Sequence, residues 1–364
     1  MNAKNRFQAA INNEELDRVP LGYLFFGAAN TVLSELNMSF KEVYYSSKGM
    51  AKAQLKALEM FGHDNVNVPW GCLNVEAEAF GSQLDIKEDN YPISKGHIIN
   101  TPGDIDELSI PIPERNGRMP LVLESLKLLN TEVGETNPII GFLSSPAIIA
   151  TEIRGFENIL MDTIREPKFV HKILNKTSKL CENYIASMME NGAHGIMIEN
   201  SGSGSDVFSP PSAEEFIMGY NNPILKNINK LGGYSILYNS SSMPYIDQDI
   251  SLHPDVYSFY MGDPAAIMEK HRWDCHKFHS KIGACSKRFC ISMIKDVCLM
   301  GNVDHANNML NGSYKDTYNE AMNCLRSGRD REGGFILSTG CEIPFDTPID
   351  NMLALKDAVT DFKI

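Results

Sequence analysis

From Pro138 onward, short apolar runs recur at 139–143, 195–198, 234–237, 256–259, 277–282, 297–300 and 334–337. Each is too short for a helix, and all but 277–282 are too continuously apolar for a half-exposed strand, which suits strands buried on both faces. Most intervals between them are helix-like, as in 167–191, 213–231 and 314–327. Short buried strands alternating with helices make a parallel sheet, and this many units favour closure over an open sheet. With 21–26 and 65–69, the candidates exceed the eight strands of a barrel, so one belongs to a lid or a helix. The expectation is a (β/α)8 TIM barrel over a single domain, 1–364, with an amino-terminal helical and lid elaboration. That elaboration comprises an amphipathic helix over 4–18, a helix over 46–61 ended by Gly62, and an irregular lid or hairpin over 70–112. A further helix is expected over 119–129.

The last run decides where chemistry should sit. Phe335, Ile336 and Leu337 stand behind Gly333 and Gly334, and the run ends in Thr339, Gly340 and Cys341. Pro344 and Pro348 bar an immediate helix, and the next helix starts near Asp350. A thiol therefore lies where a buried strand emerges, the functional end of a parallel α/β protein. The same argument selects Glu199 after 195–198, and Tyr238, Asn239 and Ser240 after 234–237. It also selects Asn302 and Asp304 after 297–300. Glu76 and Glu78 follow the 65–69 run on an expected loop, from which Glu76 is expected to reach substrate. The sequence Asn-Ser-Gly-Ser-Gly-Ser at 200–205 reads as a rim loop, without the Lys-Ser/Thr pair of a phosphate-binding P-loop.

Composition narrows the partners. A net charge of −13 over 364 residues argues against nucleic acid, whose phosphates need basic surface. No apolar run is long enough to span a membrane, and the first residues lack a signal-peptide core, so a cytoplasmic protein is expected. The eight cysteines are expected as thiols rather than as a disulfide framework. His271, Cys275 and His279 would share one face of a helix, whereas a strand there would put His276 and His279 on opposite sides.

Several landmarks resemble the uroporphyrinogen decarboxylase superfamily: Asp17-Arg18-Val19-Pro20, Phe61-Gly62-His63-Asp64, the 75–81 stretch, Met300-Gly301-Asn302-Val303-Asp304, and Cys341 with Thr347-Pro348. They span nearly the whole chain. The Gly-Cys turn before a proline-rich segment is similar to the corrinoid-dependent methyltransferase branch, such as methylcobamide:coenzyme M methyltransferases. The decarboxylases carry an arginine-rich segment after the first strand, whereas 26–31 here has no cation. The resemblance implies a Zn²⁺ ion held by a His-x-Cys pair and a last-strand Cys. Cys341 matches the last, but Tyr238 and Ser240 stand at the other two positions. Both hydroxyls hold their protons too tightly to be good Zn²⁺ ligands at neutral pH.

Three arrangements follow. A rebuilt zinc site would use Cys341, Glu199 and His279. A metal-free pocket would use Tyr238, Asn239 and Ser240 as catalytic hydrogen-bonding groups, with Glu76, Asn302 and Asp304 touching substrate. In the third, the barrel only binds. The expected reaction moves a methyl group between a small methylated compound or thiol and a corrinoid carried by a separate protein. No corrinoid domain is expected in this chain. A decarboxylase of the uroporphyrinogen type is the alternative.

Overall fold

Strands form where the apolar runs fall. In chain order they are β1 (Val66–Val68), β2 (Leu84–Asp85), β3 (Ile93–Ser94), β4 (Ile139–Ser144), β5 (Gly195–Glu199), β6 (Tyr234–Asn239), β7 (Val256–Phe259), β8 (Cys298–Val303) and β9 (Phe335–Thr339). The computed structural model describes residues 1–23, 28–69, 74–87, 91–260, 297–329 and 333–363. Seven strands make one curled parallel sheet in the order β1-β4-β5-β6-β7-β8-β9, while β2 and β3 form a separate antiparallel hairpin. That hairpin realises part of the insertion expected over 70–112. The strand expected over 277–282 lies outside the described residues, as do His279 and the His271–Cys275 row.

Helices pack outside the sheet, and the apolar side chains divide into two layers. An outer layer fills the space between sheet and helices. An inner layer takes alternate strand positions: Ile140 and Phe142, Met197, Ile236 and Tyr238, Val256, Cys298 and Met300, and Ile336. Period-2 alternation puts these side chains on the concave face of the sheet. Phe7 and Ala10, from the helix Ala3–Ile11, pack into the same layer.

The edges of the sheet are bridged by the segment around Leu21. It pairs in parallel with Leu337, with Gly22 N–H donating to Leu337 O at 2.8 Å and Leu337 N–H to Pro20 O at 2.9 Å. On its other side, Asp64 N–H donates to Leu21 O at 2.7 Å, just before β1.

Three elements differ from expectation. The first helix ends at Ile11 rather than near residue 18, because Asn13 turns left-handed (φ 55°) and Asp17 is drawn back onto Arg6. The helix expected over 213–231 opens with a π turn, Glu214–Met218, before Gly219–Lys230. Glu76 sits in the first turn of the helix Val75–Phe80, not on a loop. Among the described residues, no helix is long and apolar enough to cross a membrane.

Candidate active site

The carboxyl-terminal ends of β5, β6 and β9 converge. Glu199 closes β5 opposite Tyr238 of β6 in the parallel register. Cys341 leaves β9 through Gly340, where any Cβ would collide with the Tyr260 carbonyl oxygen. A glycine before the cysteine is therefore a packing requirement.

Tyr238 is 1% exposed, and its hydroxyl donates to Gly340 O at 3.3 Å while also bonding the Cys341 thiol. Burial raises the Tyr238 pKa well above its ordinary value, and the neighbouring Cys341 and Glu199 push the same way. Ser201 and Ser240 donate to Glu199 Oε1, the latter at 3.4 Å, and the two serine hydroxyls touch each other. Glu199 is buried, and burial pushes its carboxyl up to about 7 against the Ser240 bond. Burial likewise raises the Cys341 thiol, against the Tyr238 bond and with the added repulsion of Glu199 and Glu342. The cluster can hold protons and donate hydrogen bonds to a heteroatom.

Two members were not legible in advance. Glu342 accepts a hydrogen bond from the Tyr91 hydroxyl, and burial holds its carboxyl well above the usual range. Tyr91 comes from the segment between β2 and β3 and packs edge-on against Phe345, with ring centroids 4.5 Å apart. Adjacency to Cys341 was the available signal for Glu342. Nothing local marks Tyr91.

Other expected site residues turn elsewhere. Asn239 alternates away from Tyr238. Its amide donates to Ser203 O at 2.9 Å and Asp249 Oδ2 at 2.6 Å, and its Oδ1 accepts from Ser241 N–H at 2.9 Å. Asp249 also takes bonds from Asn200, Ser203 and Tyr257, so Asn239 belongs to the framework beneath the site. Asp304 caps the π turn His305–Leu310, accepting from Ala306 N–H at 2.9 Å and Asn307 N–H at 2.8 Å. Asn302 Oδ1 accepts from Cys324 Sγ at 3.9 Å, on the helix Tyr314–Arg329. Glu76 is 1% exposed and accepts from Ser144 N–H at 3.3 Å. Burial pushes it up to about 7, and it lies close enough to Cys181 and Tyr184 to raise both. Helix packing thus captures a side chain that an open loop would have sent to the mouth.

The zinc implied at Cys341 can be tested against the donors. Near the thiol stand the carboxyls of Glu199 and Glu342, which do not form a three-ligand group with it, and the hydroxyls of Tyr238 and Ser240, which are poor partners for Zn²⁺. Among the described residues, no three His, Cys, Asp or Glu side chains come together as a metal group. The described donors alone do not fit a Zn²⁺ site, and His279, the third expected ligand, lies outside the described residues.

Comparison with known proteins agrees with this architecture. A methylated-thiol–coenzyme M methyltransferase of Methanosarcina mazei is 25% identical over 368 residues, covering 100% of this chain and 90% of that one. A methylcobamide:CoM methyltransferase of Methanosarcina barkeri is 24% identical, covering 99% and 98%. A uroporphyrinogen decarboxylase of Anaeromyxobacter dehalogenans is also 24% identical, covering 98% and 99%. The solved structure of a methyltransferase from Methanosarcina mazei superposes with a TM-score of 0.84 at 23% identity, covering 99% of each chain, and shares the fold. The family model for uroporphyrinogen decarboxylase (URO-D) matches residues 2–362. The chain belongs to the uroporphyrinogen decarboxylase family.

Proposed function

We propose that the protein is a corrinoid-dependent methyltransferase, moving a methyl group between a small methylated compound or thiol and a corrinoid carried by a separate protein. The observation that carries this reading is the meeting of Cys341, Tyr238 and Glu199 at the carboxyl-terminal ends of β9, β6 and β5 across the curled sheet. The methyltransferase relatives support it, since they cover the whole chain. We also read the sheet as a (β/α)8 barrel in one domain, because the segment at Leu21 bridges β9 and the approach to β1.

In transfer toward the corrinoid, the methyl group leaves its heteroatom without the bonding pair. The reduced corrinoid supplies the electron pair of the new bond. The heteroatom keeps the old pair and takes a proton. Glu199 and its serine partners are placed to hold that proton, and Tyr238 and Cys341 to fix the heteroatom's position. General acid assistance of this kind contributes about 10²–10⁴ in rate. Zinc assistance is left out of this reading because the described donors beside Cys341 do not by themselves fit the ion. The cytoplasmic setting and the partner protein belong to the same proposal.

The test uses cob(I)alamin as a surrogate for the partner's cofactor, with dimethyl sulfide and methanethiol as donors. Loss of the cobalt(I) absorbance with matching formation of methylcobalamin is expected. Wild-type protein that transfers no methyl group in either direction, including from methylcobalamin to thiols, would overturn the proposal.

A further inference from the structure

Between the helices that follow β4 and the loops that follow β5 and β6 lies a cavity of about 240 Å³. Its walls are mainly hydrocarbon, contributed by Ile148, Leu160, Leu174, Phe208, Phe216 and Ile217. The polar lining comes chiefly from the two strand-end loops: Ser201 and Asp206 from one, Ser240 and Ser241 from the other. Asp206 already accepts from the Ser241 hydroxyl, so the one charged group among the described lining residues is engaged. Ser201 and Ser240 are the pair that bonds Glu199. The cavity and the candidate active site therefore share a wall.

The cavity is partly open to solvent, but its apolar lining gives water few hydrogen-bond partners, and an apolar cavity of about 150 Å³ already takes up benzene. The larger volume here has room for a six-membered ring with a substituent. Among the described residues no Lys or Arg lines the cavity, so nothing in its described walls favours an anion. We propose that this cavity is the subsite for the non-transferred part of the methylated compound, a neutral ether or thioether bearing a ring-sized hydrocarbon group. Its methyl-bearing heteroatom would lie beside Glu199, between the Ser201–Ser240 pair and Tyr238 with Cys341. This rests on the methyl-transfer reading above and names the substrate class for it.

Calorimetric titration with toluene, an unreactive probe, and with methyl phenyl sulfide tests the subsite without requiring turnover. Ala147, partly buried on the helix Pro146–Arg154, lines the cavity, and Ala147→Phe should fill it. Both compounds should bind wild type and bind at least tenfold more weakly to Ala147→Phe, with the far-ultraviolet circular dichroism retained. If that variant fails to fold, Ile148→Phe on the same helix replaces it. Absence of binding to wild type, or equal binding to wild type and a folded cavity-filling variant, overturns the subsite. Transfer from dimethyl sulfide would then still leave the methyl-transfer reading standing. Toluene binding together with no transfer from any thioether overturns the methyl-transfer reading instead.

Discussion

Glu199 and Tyr238 face each other across β5 and β6, and each has a conservative substitute that isolates one property. Glu199→Gln keeps the shape and removes the exchangeable proton. We expect methyl transfer from a thioether to fall about 10²-fold or more in single-turnover measurements, the range for a lost general acid. Tyr238→Phe removes the hydroxyl from Gly340 O and the Cys341 thiol and leaves the ring in the inner layer. One lost buried hydrogen bond of about 1.4 kcal/mol corresponds to roughly tenfold in rate with the fold retained. An unaltered rate in both variants would remove these residues from the chemistry. A different residue sets a pH dependence of stability. His63 is buried against the Tyr23 ring, with centroids 4.3 Å apart, and burial pushes its pKa down to about 3. The unfolded chain binds the proton near pH 6.5 and the folded chain does not. The stability tied to neutral His63 is therefore present above pH 6.5 and is lost as pH falls toward 3. In His63→Phe that loss should vanish, so the stability difference between wild type and variant should change by about 1 kcal/mol per pH unit between pH 6 and 4. Urea titrations at several pH values measure it, and parallel curves would refute the assignment.

Among elements, the bridge at Leu21 depends on one carboxylate. Asp64 accepts from Arg6 Nη1 at 2.7 Å, from the Arg18 guanidinium at 2.9 Å, and from Leu21 N–H at 2.7 Å. It thus ties the first helix, the bridging segment and the approach to β1 into one joint. Asp64→Asn keeps the volume, removes the carboxylate paired with Arg18 and leaves Arg6 with Asp17 alone, and breaking a buried pair costs about 3 kcal/mol. The urea midpoint should fall accordingly, and an unchanged midpoint would show that the joint is not a stability element. This joint explains what the sequence could and could not reveal. Asp17, Arg18 and Asp64 stood out as family landmarks, yet their described contacts are structural. The strands were legible because burial on both faces leaves an uninterrupted apolar run, as in Ile139–Ser144. The direction of a polar side chain at a strand end was legible too, although grouping Tyr238, Asn239 and Ser240 in one pocket ignored it. Asn239 follows Tyr238 by one residue, and alternation alone would have sent it to the opposite face. Tyr91 meets Glu342 across 251 residues of chain, and no local pattern encodes such a contact.

Over the whole molecule, the sign of charge separates the two activities found among the relatives. A porphyrinogen substrate carries several carboxylates, and burying them requires paired cations. The chain has 46 acidic residues against 33 Lys and Arg, and the segment 26–31 after the Leu21 bridge contains no cation. At the site itself, no Lys, Arg or His is among the described groups acting on Glu199 or Glu342. Both carboxyls lie above their ordinary range, which means that the pocket accepts protons more readily than it accepts further negative charge. A polycarboxylate entering there would add repulsion to the cost of its own desolvation. We therefore expect that uroporphyrinogen incubated anaerobically with the protein is recovered unchanged by chromatography, under conditions where methyl transfer to cobalt proceeds. Stepwise appearance of products with fewer carboxyl groups, at a rate lost in Glu199→Gln, would reverse the assignment within the family.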